Sequence, residues 1–166
     1  MVNHLEEILG QLSDQGVRFI ICGGVAVVLQ GVERMTMDLD LSLDMEEENV
    51  TKFLETLKKL NLTPRAPVPA ETILDPELRD FIVKEKNAVV FSFIDNDNPY
   101  RQVDVMLVQE GNYNRLLDES ETIQLAGRPI RIMSREGLIR MKKELKNPRE
   151  KDLHDIRQLK KLSEEG

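Results

Sequence analysis

The stretch from Val17 to Leu43 constrains the fold more than any other part of the sequence. It begins with an apolar run over 17–22 that predicts a buried strand, and two glycines, Gly23 and Gly24, follow directly. A short apolar segment over 26–30 then predicts a helix. The glycines permit backbone geometry that is closed to other residues, so the chain is able to turn sharply between the two elements and a ligand is able to approach the main chain.

A second predicted strand ends this stretch and carries two carboxylates on one face. Asp38 and Asp40 lie at positions i and i+2, so their side chains point the same way, while Leu39 and Leu41 occupy the opposite face. Carboxylates this close repel one another unless a cation lies between them. Oxygen ligands on one side of a strand suit Mg²⁺ whose coordination is completed by a phosphate.

The glycine pair and the arm before the second strand are candidates for contact with phosphate. A helix that starts after the glycines offers unpaired N–H groups and a positive dipole end, whereas the alternative is a plain tight turn. The Asp38-x-Asp40 motif downstream favours the phosphate interpretation. Arg34 and Thr36 in the arm either steer the phosphate or nucleotide, or Arg34 is a solvated loop charge.

A third acidic residue, Asp104, lies inside a predicted strand over 101–108. Its neighbours Val103 and Val105 indicate that the strand is buried, and an ionised carboxylate there is costly unless it is paired or binds a metal ion. One alternative is an ion pair with an arginine. The acids upstream favour a third metal ligand.

The remaining pattern alternates helices with strands. Apolar periodicity predicts helices over 2–15, 44–61 and 76–84 and further helices after Ser134 and Pro148. Two hairpins are predicted, over 87–94 with 101–108 and over 122–125 with 130–133. Three prolines restrict 62–70 to a loop or an edge segment.

In this order, the glycine pair, the Asp-x-Asp motif and the later Val-Asp-Val resemble the nucleotidyltransferase superfamily, whose fold is shared by DNA polymerase beta and kanamycin nucleotidyltransferase. The sequence is most similar to the minimal bacterial branch that includes the AbiEii toxins, where an arginine and a threonine shortly precede the first aspartate. The resemblance implies an α/β (α+β) fold: a mixed β-sheet flanked by helices, with C-terminal helices.

The C-terminal sequence MKKELKNPREKDLHDIRQL resembles the same branch, where a helical lysine is followed by R-x-K-D-x-x-D-I. The resemblance implies that Lys142 reaches the nucleotide phosphates and that Asp152 supports the site. The family's lysine and arginine are closer together, so Lys143 is an alternative to Lys142. The other interpretation is an amphipathic basic helix with i,i+4 charge pairs.

These residues predict a Mg²⁺-dependent nucleotidyltransferase. Asp38, Asp40 and Asp104 would hold two Mg²⁺ ions, with Mn²⁺ as an alternative, against the triphosphate of an NTP, and Asp104 would help to deprotonate an acceptor hydroxyl. The glycine pair would cradle phosphate and Lys142 would neutralise developing charge. The acceptor would be RNA, protein or a small molecule, and an operon-encoded partner protein is a further expectation.

Two other classes of function compete with this prediction. A nucleotide-binding or toxin–antitoxin module without turnover is one, because Gly24 stands where the family has a serine and no acceptor-binding domain is recognisable. A metal-dependent phosphohydrolase of unrelated fold is the other. It would be expected to use histidine ligands, but His4 and His154 are the only histidines and neither is beside the acids in the sequence.

Length and composition narrow the class of protein. At 166 residues the chain predicts one domain over 1–166, with 134–166 as a helical extension packed on it, and its net charge of −7 argues against broad nonspecific nucleic-acid binding. Cys22 is the only cysteine, so an internal disulfide is impossible and a small buried thiol is favoured. The sequence shows neither a signal peptide nor a long apolar run, which predicts a cytoplasmic protein without membrane contact.

Overall fold

The fold was described from a computed structural model, which covers residues 2–36 and 38–165. The helices in these ranges are α1 (Val2–Asp14), α2 (Gly23–Leu29), α3 (Glu47–Lys59), α4 (Pro76–Lys86), α5 (Tyr113–Leu116), α6 (Arg135–Lys143) and α7 (Glu150–Glu165). The strands are β1 (Phe19–Cys22), β2 (Asp38–Leu43), β3 (Thr63–Pro64), β4 (Val90–Asp95), β5 (Asn98–Met106), β6 (Ser120–Leu125) and β7 (Arg128–Met133).

The strands form one mixed sheet in the order β3-β4-β5-β2-β1-β7-β6. The β2–β5 and β1–β7 pairs are parallel, and the other neighbouring pairs are antiparallel. Both predicted hairpins are present, as β4–β5 and β6–β7. The prediction of a mixed sheet flanked by helices is confirmed.

The central β2–β5 pair separates an apolar face of the sheet from an acidic one. Its register places Leu39 beside Val103 and Asp40 beside Asp104, so residues of like character share a face. On the apolar face, Phe53 of α3 meets Phe93 edge-on, with ring centroids 5.8 Å apart, and both rings are buried. The packing of α3 therefore covers the apolar face and leaves the acids on the other one.

The glycine pair is part of a helix, which the sequence did not predict. The helix expected over 26–30 begins at Gly23, directly after β1 and without an intervening turn. Gly23 has φ near +60°, a conformation that L side chains rarely adopt, and this lets the extended strand pass into the helix in one residue.

Other observed element boundaries differ by a few residues from the predicted ones. The helix predicted over 44–61 is shorter, Glu47–Lys59, and α6 ends at Lys143, which leaves Leu145 outside it and 45% exposed. A helix after Ser134 is confirmed, and Ser134 caps it, because Ser134 Oγ accepts a hydrogen bond from the Gly137 N–H at 3.0 Å. Pro64 lies in the edge strand β3, where its missing N–H does not interrupt a central ladder.

None of the helices within the described residues is long and apolar enough to cross a membrane.

Replacing Phe53 by alanine is expected to lower the free energy of unfolding by about 3–5 kcal/mol, because it leaves a cavity against Phe93. Urea unfolding of the variant measures the loss. Phe81→Ala is the matched control, since Phe81 is 52% exposed on α4 and its truncation is expected to change stability little. Equal losses in the two variants would contradict the assignment of α3 to the core.

Candidate functional site

Three acids predicted from the sequence lie on neighbouring strands at one cleft. Asp38 begins β2, Asp40 follows two residues later, and Asp104 of β5 lies directly beside Asp40 in the parallel register. All three line an open cleft of about 490 Å³. The parallel pairing of β2 with β5 is what brings these residues, distant in sequence, to one place.

Burial and mutual repulsion raise the pKa of two of these acids. Burial, followed by the charges of Asp104 and Asp38, raises the pKa of Asp40 to about 7, and Lys142 offsets this only in part. Burial and Asp104 also raise the pKa of Asp38, against the opposing charges of Lys151 and Arg65. The acidic wall of the cleft therefore holds more negative charge than its neighbours neutralise.

Asp104 receives one hydrogen bond from its own strand. The side-chain amide of Gln102 donates to Asp104 Oδ1 at 2.9 Å. Gln102 pairs in register with Asp38 on β2, so it lies beside the first acid and bonds to the third. The sequence did not identify Gln102, because a glutamine in an alternating strand gives no signal of its contacts.

Both glycines lie where a side chain would collide with a residue of the cleft. A Cβ at Gly23 would overlap the Asp40 carboxylate, and one at Gly24 would meet the Arg34 guanidinium and come within 2.5 Å of Thr36 Oγ1. The backbone of α2 thus packs directly against the acidic strand and the arm. Close packing, in addition to conformational freedom, requires glycine at these positions.

Basic side chains form the other wall of the cleft and are held by two acids of α7. Lys142 Nζ lies 3.1 Å from Asp152 Oδ1 and 3.0 Å from Asp155 Oδ2, and Arg34 Nε lies 3.3 Å from Asp155 Oδ1. Asp155 is fully buried, and neither of its oxygens forms a hydrogen bond of good geometry among the described residues. Arg34 is therefore an ion-paired residue of the cleft, and the interpretation as a solvated loop charge is wrong.

Asp152 also fixes the start of α7. It accepts a hydrogen bond from the Arg149 N–H at 2.9 Å and lies 3.4 Å from the Arg149 guanidinium. Burial alone would raise the pKa of Asp152, but the hydrogen bonds from Arg149 and Lys142 outweigh it and hold the pKa below its usual value. Asp152 therefore remains a charged anchor for Lys142.

The structure distinguishes Lys142 from Lys143, which the sequence left as alternatives. Lys142 lines the cleft together with Asp40 and Asp104. Lys143 lies outside the cleft, beside Lys160, which lowers the pKa of Lys143. By position, Lys142 is the lysine that faces the acids.

Several residues of the cleft escaped the sequence prediction. Three of them line the cleft directly: Met35, Arg149 and Lys151. The other two contact residues that line it: Gln102 bonds to Asp104, and Asp155 pairs with Lys142. One signal for Asp155 was present, because Asp152 and Asp155 are three residues apart and so share a helix face. The other residues depend on tertiary placement.

Cys22 and the histidines contribute little to the cleft. The Cys22 thiol is buried as predicted, and burial and the Asp40 charge raise its pKa to about 12, which keeps it a neutral thiol. None of the described residues that line the cleft is a histidine.

The acids offer ligands that suit a divalent cation, but they do not enclose a metal site in their present rotamers. Within residues 2–36 and 38–165, no three acidic, histidine or cysteine side chains are grouped closely enough to hold an ion. The set consists of hard carboxylate oxygens, the type that Mg²⁺ prefers, and burial together with the neighbouring acids raises the pKa of Asp40. A shared ion would require the three carboxylates to turn toward a common point.

Comparison with known proteins places this chain in a known family and fold. A family model described as aminoglycoside-2''-adenylyltransferase matches residues 4–159. None of the curated proteins compared with the chain matches it.

Solved structures with the nucleotidyltransferase fold are similar to the chain over nearly its whole length. The lincosamide antibiotic adenylyltransferase LnuA, solved with lincomycin bound, is 19% identical and aligns over 96% of each chain with a TM-score of 0.63. ANT(2'')-Ia, solved with adenylyl-2''-tobramycin, is 17% identical over 99% of this chain and 89% of its own, with a TM-score of 0.62.

A third structure, an antigenic nucleotidyltransferase-like protein from Paracoccidioides brasiliensis, is 16% identical over 95% of this chain and 74% of its own, with a TM-score of 0.58. Together these likenesses show that the fold is that of the nucleotidyltransferases. The alternative of a phosphohydrolase with an unrelated fold is therefore wrong.

The metal-free protein is expected to lose stability as pH rises from about 4 to about 7. In the unfolded chain the Asp40 carboxyl ionises near pH 4. In the folded protein its raised pKa keeps it protonated until about pH 7, so rising pH favours the unfolded state. The loss should be on the order of 1–3 kcal/mol. Thermal unfolding in EDTA across this range measures it. Asp40→Asn should flatten the profile and raise Tm at pH 7, and an unchanged pH profile would contradict the raised pKa.

Asp155→Ala is expected to lower the free energy of unfolding by about 3–5 kcal/mol, because it leaves Arg34 and Lys142 without their shared buried counter-ion. Chemical denaturation measures the change. Glu150→Ala removes an exposed ion pair with Arg157 on the same helix and is the control, with little expected effect. If the two variants are equally stable, the buried cluster does not hold α7 in place.

Proposed function

We propose, because this chain belongs to the aminoglycoside-2''-adenylyltransferase family, that it transfers the adenylyl group of ATP to a hydroxyl of a small molecule. The observation that carries the proposal is the division of charge in the cleft. Acids on β2 and β5 form one wall, and Lys142, Arg149 and Lys151 lie on the other. A polyphosphate and its cation need both signs of charge within a few ångströms of each other.

The basic wall is suited to the phosphates of ATP. Lys142 reaches into the cleft from the last turn of α6, and the ion pair with Asp155 holds Arg34 beside Gly24. Because these cationic side chains are already held in place, they need not reorganise when negative charge develops on the leaving group. Such preorganised charge is the usual source of electrostatic catalysis. In this proposal Lys142 and Arg34 bind phosphate oxygens, while Gly23, Gly24 and Thr36 shape the wall against which the nucleotide lies.

The acidic wall is suited to activating the acceptor. The acceptor oxygen attacks the α-phosphorus of ATP, a new P–O bond forms, and the bond from the α-phosphorus to the bridging oxygen breaks. Pyrophosphate leaves with that electron pair, and Asp104 takes the proton of the attacking hydroxyl. Gln102, whose side-chain amide donates to Asp104 Oδ1, is the polar neighbour of this carboxylate on the same strand.

Asp38, Asp40 and Asp104 would hold the Mg²⁺ or Mn²⁺ ions, which would supply charge neutralisation at the phosphates and lower the pKa of the acceptor hydroxyl. The raised pKa of Asp40 supports this role: burial is its main cause and the charges of Asp104 and Asp38 add to it, and a bound cation would offset both effects. Asp152 supports the site indirectly, as the anchor of Lys142.

A nucleotide-binding module without turnover, of the AbiEii-like toxin–antitoxin type, is the second candidate. Two observations favour it: the two α7 acids already engage Lys142, and Gly24 supplies no hydroxyl to phosphate. Such a module would bind Mg-ATP and an operon-encoded partner protein but release no pyrophosphate. RNA or protein as acceptor is a further outcome that the assay below distinguishes.

Incubation with α-labelled ATP, Mg²⁺ and separate small-molecule, RNA and protein fractions is expected to label the small-molecule fraction. Asp40→Asn and Asp104→Asn should each reduce transfer by at least about 100-fold, because each removes a carboxylate of the acidic wall. Asp97→Asn, in the exposed β4–β5 turn, is the control that should retain full activity.

Calorimetric titration with Mg-ATP separates the two candidates. Binding without pyrophosphate release from any acceptor fraction would support the module, and wild-type transfer by Asp40→Asn would refute the catalytic assignment.

A further inference from the structure

Beside the acidic cleft lies a smaller pocket of about 270 Å³ to which the proposed reaction gives no role. It exists because β5 begins at Asn98, whereas β2 begins at Asp38, which pairs with Gln102. The first residues of β5 therefore extend beyond the end of their neighbour on this side. The N-terminal half of α1 and the arm before β2 border the gap.

We infer that this pocket binds the acceptor, and that the acceptor is a small hydroxyl compound with an apolar face and without a cluster of positive charges. The inference rests on the proposed adenylyl transfer and specifies the substrate class for it.

Two residues make the pocket continuous with the acidic cleft. Met35 lines both cavities, and Gln102 lines the pocket while its amide donates to Asp104 at 2.9 Å. A compound in the pocket that reaches past Gln102 thus meets the carboxylate proposed to take the acceptor proton. In the sheet order β5-β2-β1, the pocket adjoins β5, whereas Gly23 follows β1. The acceptor and the glycine pair at the start of α2 therefore approach the acids from opposite sides.

The lining of the pocket is mainly apolar and is exposed where a ligand would enter. Leu5 and Ile8 of α1 form one side, and Met35 and Tyr100 are 79% and 64% exposed. An aromatic ring and a thioether left open to water beside an apolar pocket provide a surface for the flat face of a ring or an alkyl chain. Pockets for small molecules commonly combine such a lining with a few polar groups, here His4 and Gln102.

The charges around the pocket disfavour a polycation. None of its lining residues in the described part of the chain is acidic, and Arg101 belongs to the lining. The nearby carboxylates of Asp95 and Glu7 lie 2.6 and 3.1 Å from the Arg101 guanidinium and are engaged by it. A ligand with several ammonium groups would lose hydration in this pocket without gaining a carboxylate partner from its lining, which is costly.

The experiment measures ligand binding by NMR chemical-shift perturbation, with no nucleotide or metal present. Lincomycin, which has one amine and an alkyl side chain, and phenyl β-D-glucoside, which is uncharged, are the amphipathic probes. Tobramycin is the polycationic probe. Both amphipathic probes are expected to change the chemical shifts of Leu5, Met35 and Tyr100. Both are also expected to bind at least about tenfold more tightly than tobramycin.

Tyr100→Ala should weaken binding of the amphipathic probes by about tenfold, because it removes the exposed ring. Phe81→Ala is the matched control: it truncates a similarly exposed ring on α4, outside the pocket, and should bind as wild type does. Met35→Glu places a carboxylate at the mouth of the pocket and should reverse the preference toward tobramycin.

Tighter binding of tobramycin to the wild type, unchanged binding by Tyr100→Ala, or no perturbation of the pocket by either amphipathic probe would each overturn the inference. These results are independent of turnover. A protein that binds the probes in the pocket but transfers no adenylyl group would contradict the proposed function alone.

Discussion

The parallel pairing of β2 with β5 is the constraint on which the rest of the molecule depends. It sets Leu39 and Leu41 beside Val103 and Val105 in the core, and the same register sets Asp40 beside Asp104 on the opposite face. Burial of the apolar side chains stabilises the pair, whereas the burial of Asp40 and its proximity to Asp104 and Asp38 oppose it, and both effects raise the pKa of Asp40. The apolar face thus holds together an acidic face that would repel itself.

The C-terminal part of the sequence supplies residues that offset the negative charge of the site. Asp155 is buried between Arg34 of the arm and Lys142 of α6, and Asp152 binds the same lysine. These contacts tie α6, α7 and the arm to one another, so the basic wall of the cleft is a tertiary assembly. Gly24 matters for the same reason, because only a residue without a side chain leaves room for Arg34 and Thr36 against α2.

The sequence predicted the central features of this arrangement because they follow from local patterns. The alternation of polar and apolar residues in β2 and β5 was enough to predict that Asp38, Asp40 and Asp104 lie on the polar face. Turn residues between apolar runs were enough to identify both hairpins. The start of α2 was misplaced because glycine is a poor helix former, and tertiary packing overrides that propensity at Gly23. Gln102 could not be assigned, since nothing local in a sequence reveals which strand or helix a side chain will meet. Asp155 shares a helix face with Asp152, but its ion pairs with Arg34 and Lys142 depend on tertiary placement.

The order of the site along the chain has a consequence for biosynthesis. Every carboxylate of the acidic wall lies before residue 105, whereas the lysine and the two α7 acids that hold the basic wall lie after residue 141. A ribosome-bound chain therefore presents these acids before Lys142 and Lys151, the lysines that offset their charge, have been made. Lys142 acquires its place in the cleft only after α7 has docked and its two acids have paired with it.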